Sequence, residues 1–163
     1  MTLNKILKNT LLIISACLLL SACATQKTVT TGSGSQMQGD VYTGTDTVKE
    51  LAPGVPDRVF FATNESILTT ASRETLRKQA EYLRKNSNMN IVLEGHADER
   101  GTREYNLALG ERRANAAKDY LMTYGISASR ISVISYGKER PVDSGSNTLA
   151  WSKNRRSVTV KAN

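Results

Sequence analysis

Apolar residues are spaced in three different ways along this chain, and each spacing predicts a different kind of segment. Over 11–20 they run almost unbroken, as LLIISACLLL. Over 24–56 they follow no period: Thr, Gly, Ser and Gln dominate, and Pro53 and Pro56 close the stretch. From Asp57 onward, strand and helix periods alternate. Residues 58–61 (RVFF) predict a short apolar strand. Leu76, Ala80 and Leu83, at i, i+4 and i+7, predict a helix over 70–86. Met89, Ile91 and Leu93 alternate with Asn90, Val92 and Glu94, the period of a strand half-buried in a sheet.

A second helix is predicted over 103–124, with Thr102 placed to cap its start and Gly125 to stop it. Gly110, Ala114, Ala117 and Leu121 share one face of that helix and are small enough to let it sit tightly on a sheet. Residues 131–136 (ISVISY) and 157–161 (SVTVK) supply two more strands. The order is βαβαββ, and helices packed on one face of a mixed sheet bury all these stripes at once, so the fold class is α+β. There is no internal repeat. At 163 residues the chain has room for one ordinary domain, and 39% hydrophobic residues are enough for one core.

The apolar run at the start belongs to no domain. Lys5 and Lys8 precede it, and the small residues Ser21 and Ala22 follow, which is the order of a secretory signal over 1–22. The run is shorter than the roughly 20 residues of a membrane-spanning helix, although an uncleaved anchor is the alternative reading. Leu20-Ser21-Ala22-Cys23 looks like a bacterial lipobox, in which Cys23 is lipidated and becomes the mature N-terminus. Several acyl chains then anchor the protein stably, where a single chain binds only marginally. Ala24 rather than aspartate after the cysteine implies sorting to the outer membrane of a Gram-negative cell. Cys17 would leave with the signal, so the mature domain has no thiol for a disulfide, a metal site or a nucleophile. Residues 24–56 read as a flexible polar tether reaching about 100 Å at full extension, and residues 57–163 as the domain.

The net charge is +7, of which two units lie in the signal. Such a balance suits an anionic partner without choosing one, and export removes nucleic acid from the choice. The chemistry concentrates in 95–114, GHADERGTREYNLALGERRA, which holds the single histidine, five acidic or amide groups and four arginines. His96 and Asp98 form an H-x-D pair, but no second histidine and no mature cysteine completes a zinc set, so His96 is expected to be a hydrogen-bonded residue at a strand end. Glu94, Asp98 and Glu99 have the residue types of a glycosidase pair. Arg100 and Arg103, however, would hold nearby carboxylates ionised, the wrong direction for a general acid. An enzyme is therefore not expected.

Binding uses the spacing better. Asn106, Leu109 and Arg113 fall on one stripe of the second helix, apart from its small-residue face. Asp98 and Thr102 lie in the loop that feeds the helix near its electropositive end. A carboxylate, a guanidinium, an amide and a hydroxyl in one small volume suit a zwitterion, with Asp98 taking the ammonium and Arg113 the carboxylate. An internal Asp98–Arg113 salt bridge with no ligand is the alternative.

The spacing G-H-x-D, then G-T, then Y-N-x-x-L-G-x-x-R-A closely resembles the signature of the OmpA-like peptidoglycan-binding domain. ISYGKERP at 134–141 and SKNRRSV at 152–158 agree with it. The resemblance covers 57–163 as a domain and implies a βαβαββ fold that binds the stem peptide of peptidoglycan through its meso-diaminopimelate residue, without catalysis or cofactor. It implies Asp98 and Arg113 as the principal contacts, Thr102, Asn106 and Leu109 completing the pocket, and Phe61 with the loop after it as a further wall. Arg155, in the NRR motif, either contacts the ligand or supports the pocket. Family members often carry F-x-x-D-K after the first strand, where this chain has Asn64 and Glu65, so that wall loses a charge. The family also implies partners in the Tol machinery, notably its periplasmic β-propeller. A scaffold acting mainly through such proteins is the competing function.

Overall fold

The computed structural model describes residues 37–162. The signal and lipidation motif at 1–23 lie outside the described residues.

The core is a four-stranded sheet of β5 (Arg58–Phe60), β6 (Ile91–His96), β7 (Ile131–Gly137) and β8 (Arg156–Lys161). Its order is β5-β8-β6-β7, with β8 antiparallel to both neighbours and β6 parallel to β7. The last strand in sequence is thus inserted between the first two, so that both β5 and β6 deliver their C-terminal ends beside the start of β8. Helices α1 (Thr70–Lys85) and α2 (Arg103–Thr123) join Val59, Phe61, Ile91 and Leu93 in one apolar cluster. This is the expected α+β arrangement.

Local signals account for the helix ends. Thr69 caps α1 by accepting the Ser72 N–H, and Thr102 caps α2 by accepting the Tyr105 N–H. Gly125, at φ +82°, takes the left-handed conformation that ends a helix. Leu76, Ala80 and Leu83 are buried on α1, and Gly110, Ala114, Ala117 and Leu121 on α2, as their spacing predicts. Polar residues also cross this interface: buried Ser72 donates to the Phe60 carbonyl. Gln79, fully buried, donates to the Pro56 carbonyl and accepts the Thr159 hydroxyl, which ties α1 to β8.

Two features differ from expectation. A short helix, α3 (Thr148–Asn154), capped by Asn147, precedes β8. Residues 37–56, expected to be tether, instead form two hairpins, β1 (Met37–Gln38) with β2 (Val41–Tyr42) and β3 (Glu50–Ala52) with β4 (Val55–Pro56). They belong to the same compact unit as the domain. Tyr42 and Leu51 are the anchors: both are buried, and the Tyr42 ring meets Phe60 edge-on at 4.8 Å between centroids. Among the described residues no helix is long and apolar enough to cross a membrane.

Candidate functional site

The end of β6, the end of β5 and the start of β8 converge on Asp98. The residue is 7% exposed, and its carboxylate is fully engaged. Oδ1 accepts from the Arg100 backbone N–H at 3.1 Å and from Arg100 Nε at 3.0 Å. Oδ2 accepts from Arg100 Nη2 at 2.7 Å and from Arg155 Nη1 at 3.3 Å. Burial works to raise the Asp98 pKa, but the hydrogen bonds from Arg100 and Arg155 outweigh it and hold the group below the ordinary carboxylate value. Asp98 is a buried, ionised acceptor.

Arg113 does not pair with Asp98. Its Nε donates to the Glu65 carbonyl at 2.8 Å, Nη1 to the His96 carbonyl at 2.9 Å and Nη2 to the Ala62 carbonyl at 3.0 Å. Those three bonds staple α2 to the loop after β5 and to the end of β6. The guanidinium also lies over the Phe61 ring at 5.4 Å. Fully buried and next to Arg155, Arg113 has its pKa pushed down to about 10, by burial first and by that neighbour second, and it stays charged at neutral pH.

Arg155 is the arginine that reaches Asp98. Its Nε donates to the Phe61 carbonyl at 3.1 Å, and its Nη2 donates to the Asp40 carbonyl. Asp40 stands at the tip of the first hairpin, and its Oδ2 lies 3.8 Å from Arg155 Nη2 and accepts the Thr63 N–H at 2.8 Å. Arg100 closes the outside: its guanidinium lies over the Trp151 ring at 4.3 Å and donates to Thr63 Oγ1 at 3.3 Å.

The other predicted residues build this cluster's frame. Asn106 is buried and donates to the Arg100 carbonyl at 2.8 Å, fixing the turn of 98–102. Leu109 is buried one turn further along α2, and the Thr102 hydroxyl serves as the helix cap. Phe61 is buried under Arg113. Asn64 is exposed and has φ +58°, a left-handed position that asparagine and aspartate tolerate better than most residues. That backbone demand suits either residue and does not itself choose asparagine over aspartate.

His96 departs from expectation: it is 2% exposed, and neither ring nitrogen has a hydrogen-bond partner among the described residues. Among those residues no three His, Cys, Asp or Glu side chains are grouped to hold a metal. A cleft of about 570 Å³ lies elsewhere, lined by residues including Tyr42, Val48, Phe60, Ala71 and Thr75, and none of the residues expected to bind ligand lines it.

Comparison with known proteins agrees with this architecture. The OmpA family model matches residues 60–155. The chain belongs to the OmpA family. Among OmpA relatives it is 43% identical over 145 residues to a peptidoglycan-associated lipoprotein of Mesorhizobium japonicum, covering 89% of this chain and 86% of that one. The crystal structure of the peptidoglycan-associated lipoprotein from Burkholderia pseudomallei superposes with a TM-score of 0.63 at 35% identity, over 65% of this chain and 90% of that one. The C-terminal domain of Helicobacter pylori MotB shares the OmpA fold at 19% identity, with a TM-score of 0.61 over 66% and 84% of the two chains.

Arg100, Thr63 and Asp40 are the members of the cluster that sequence spacing did not single out as binding residues. Arg100 is expected to hold nearby carboxylates ionised, and the fold shows that Asp98 is the carboxylate it holds. For Asp40 a local signal exists, the Gly39-Asp40 pair of a two-residue hairpin. Its neighbours in the polar stretch obscure it.

Proposed function

We propose that this chain is an outer-membrane lipoprotein that binds the diaminopimelate stem peptide of peptidoglycan without covalent chemistry. It would be held by lipid on Cys23 after removal of 1–22, and would tether membrane to wall within a Tol–Pal system that serves envelope integrity and cell division. The observation that carries the binding role is Asp98, a buried carboxylate kept ionised in the loop between β6 and α2 and covered by the side chain of Arg100, which is itself 42% exposed. An incoming ammonium would replace the Arg100 guanidinium on Asp98, and Arg100, at the exposed edge of the cluster, would swing outward into water. The carboxylate of the same ligand centre is then met by Arg155, with Arg113 beneath it. Three of Arg113's five N–H groups already hold carbonyls. Thr102, Asn106, Leu109, Phe61 and Asn64 shape the rim and floor.

No step of bond cleavage is assigned. The arginines hold Asp98 as the anion, whereas a general acid needs its proton at neutral pH.

Calorimetric titration of the full chain in detergent micelles tests the reading. The ligands are a stem peptide carrying diaminopimelate and the same peptide carrying lysine, which lacks the second carboxylate. Binding should favour the diaminopimelate form, and Asp98→Ala should weaken it by roughly 2–5 kcal/mol, the cost of truncating one side of a buried charge pair. Asp98 is the cleaner probe than Arg113, whose removal also strands three carbonyls. Equal heats from both peptides, or from wild type and Asp98→Ala, would discard the pocket. The chain would then be a scaffold working through Tol proteins such as the β-propeller.

A further inference from the structure

The first hairpin ends in a feature that the binding role does not use. Met37 pairs with Tyr42 and Gln38 with Val41, so the turn consists of Gly39 and Asp40 alone. Gly39 has φ +65°, the conformation required at the first position of a two-residue II′ turn. The turn pushes Asp40 outward at the tip, into the cluster around Asp98. There Asp40 Oδ2 accepts the Thr63 N–H, and Arg155 donates to its carbonyl, while the same guanidinium reaches Asp98 through Nη1.

A backbone N–H in contact, the Arg155 guanidinium 3.8 Å from the same oxygen and the charge of Arg100 beyond it make a corner that favours a carboxylate. We propose that Asp40 is an internal stand-in for the ligand's carboxylate, a strap that occupies the anion corner of the site and must lift before a diaminopimelate residue can bind. This rests on the reading of Asp98 and Arg155 given above.

Like charge decides that Asp40 competes with the ligand and does not help to hold it. Asp40 and Asp98 already share Arg155, with an ion-pair distance of 3.8 Å on one side and 3.3 Å on the other. A ligand carboxylate brought to Arg155 would face Asp40 at short range. The ligand's ammonium is taken up by Asp98, and Arg100, the second cation near Asp40, has swung outward, so one of the two carboxylates must leave. The strap can leave at small cost. Its strands are two residues each, too short to be stable alone. Tyr42, at its base, stays packed on Phe60 while the tip opens. Thr63 N–H and Arg155, once freed, are the groups that the ligand would then occupy.

Competition of this kind lowers apparent affinity by the fraction of chains in which the strap is lifted. Calorimetry of the full chain in detergent micelles, titrated with the diaminopimelate stem peptide, should show Asp40→Ala binding about 10-fold more tightly than wild type, the scale of one charge-assisted hydrogen bond. Asp40→Asn keeps an acceptor for Thr63 but loses the charge, and should fall between the two. The amide resonance of Thr63 supplies an independent reading. Adding peptide to wild type should move it away from its strap-bound position, and in free Asp40→Ala it should already have left that position. Equal or weaker binding by Asp40→Ala overturns the strap. If Asp98→Ala abolishes binding in that same experiment, the pocket stands without it. If no version of the chain binds the peptide, the pocket assignment falls and the strap falls with it.

Discussion

His96 is 2% exposed, with its ring tilted on Tyr136 at 5.6 Å and its Nε2 3.7 Å from a Glu94 carboxylate oxygen. Burial first, and then the positive charges of Arg156, Arg58 and Arg140, push its pKa from 6.5 down to about 3. The nearby Glu94 carboxylate does not offset them. The folded protein therefore holds this imidazole neutral, while the unfolded chain takes up a proton once the pH drops below about 6.5. A group whose folded pKa is depressed in this way contributes stability above the unfolded value, and that contribution is lost as the pH falls from about 6.5 toward about 3. The slope is about 1.4 kcal/mol for each pH unit well inside that window. Asp40 and Asp98 have pKa values lowered below 3.8, so between pH 6 and 4.5 the histidine acts largely without them. Urea denaturation across that interval should show wild type losing stability at about that slope, and His96→Phe, which keeps a ring against Tyr136 but cannot ionise, should be nearly flat. A wild type that is itself flat there would mean that His96 is protonated in the fold.

At the scale of elements, the contact between β6 and α2 sets the height of everything above it. A methyl group on Gly95 would collide with the Gly110 carbonyl, and one on Gly110 would meet Ser135 Oγ and the Gly95 carbonyl. Strand and helix backbones therefore touch, and this approach holds Asn106, Leu109 and Arg113 over the end of the sheet. Gly95→Ala has no flexible side chain to push aside and should cost about 3 kcal/mol, at the upper end for overpacking. A loss below about 1 kcal/mol in denaturant titration would mean that α2 shifts freely. This contact was legible in the sequence because Gly110, Ala114, Ala117 and Leu121 repeat at the helical period. Thr102 and Gly125 were legible as caps for equally local reasons. The hairpins were not, since a strand of two residues has no period to read, and the burial of Tyr42 depends on Phe60, 18 positions away. The seven residues of α3 are likewise too few for a periodic stripe. The site divides along the same line. Asp98, Thr102, Asn106, Leu109 and Arg113 lie on one loop and the helix it feeds, so their neighbourhood follows from spacing. The hold of Arg100 on Asp98 spans two residues and follows the expectation that it keeps nearby carboxylates ionised, whereas the reach of Arg155 and Asp40 into the cluster depends on how the strands are ordered in the sheet.

For the whole molecule, folding of the hairpins changes the distance at which the proposed anchor can work. An unstructured tether over 24–56 would let the domain stand about 100 Å from lipidated Cys23. With the folded unit extending back to Met37, the chain between Cys23 and that residue reaches at most roughly 50 Å. Deleting residues 26–35 would cut this to roughly 15 Å, about the radius of gyration of a domain of this size. The domain would then be held against the lipid surface, and a tether too short to span two sites drives their effective concentration toward zero. The lipidated deletion variant should accordingly lose most of its cross-linking to peptidoglycan in cells. Purified in micelles, it should still sediment with isolated sacculi as wild type does, since every residue around Asp98 is intact. Undiminished cross-linking in cells would mean that the wall is reached from a domain lying on the membrane, or that Cys23 is not the anchor. Cell fractionation of the Cys23→Ser protein separates those two outcomes, because only a chain anchored through Cys23 leaves the membrane fraction when that thiol is removed.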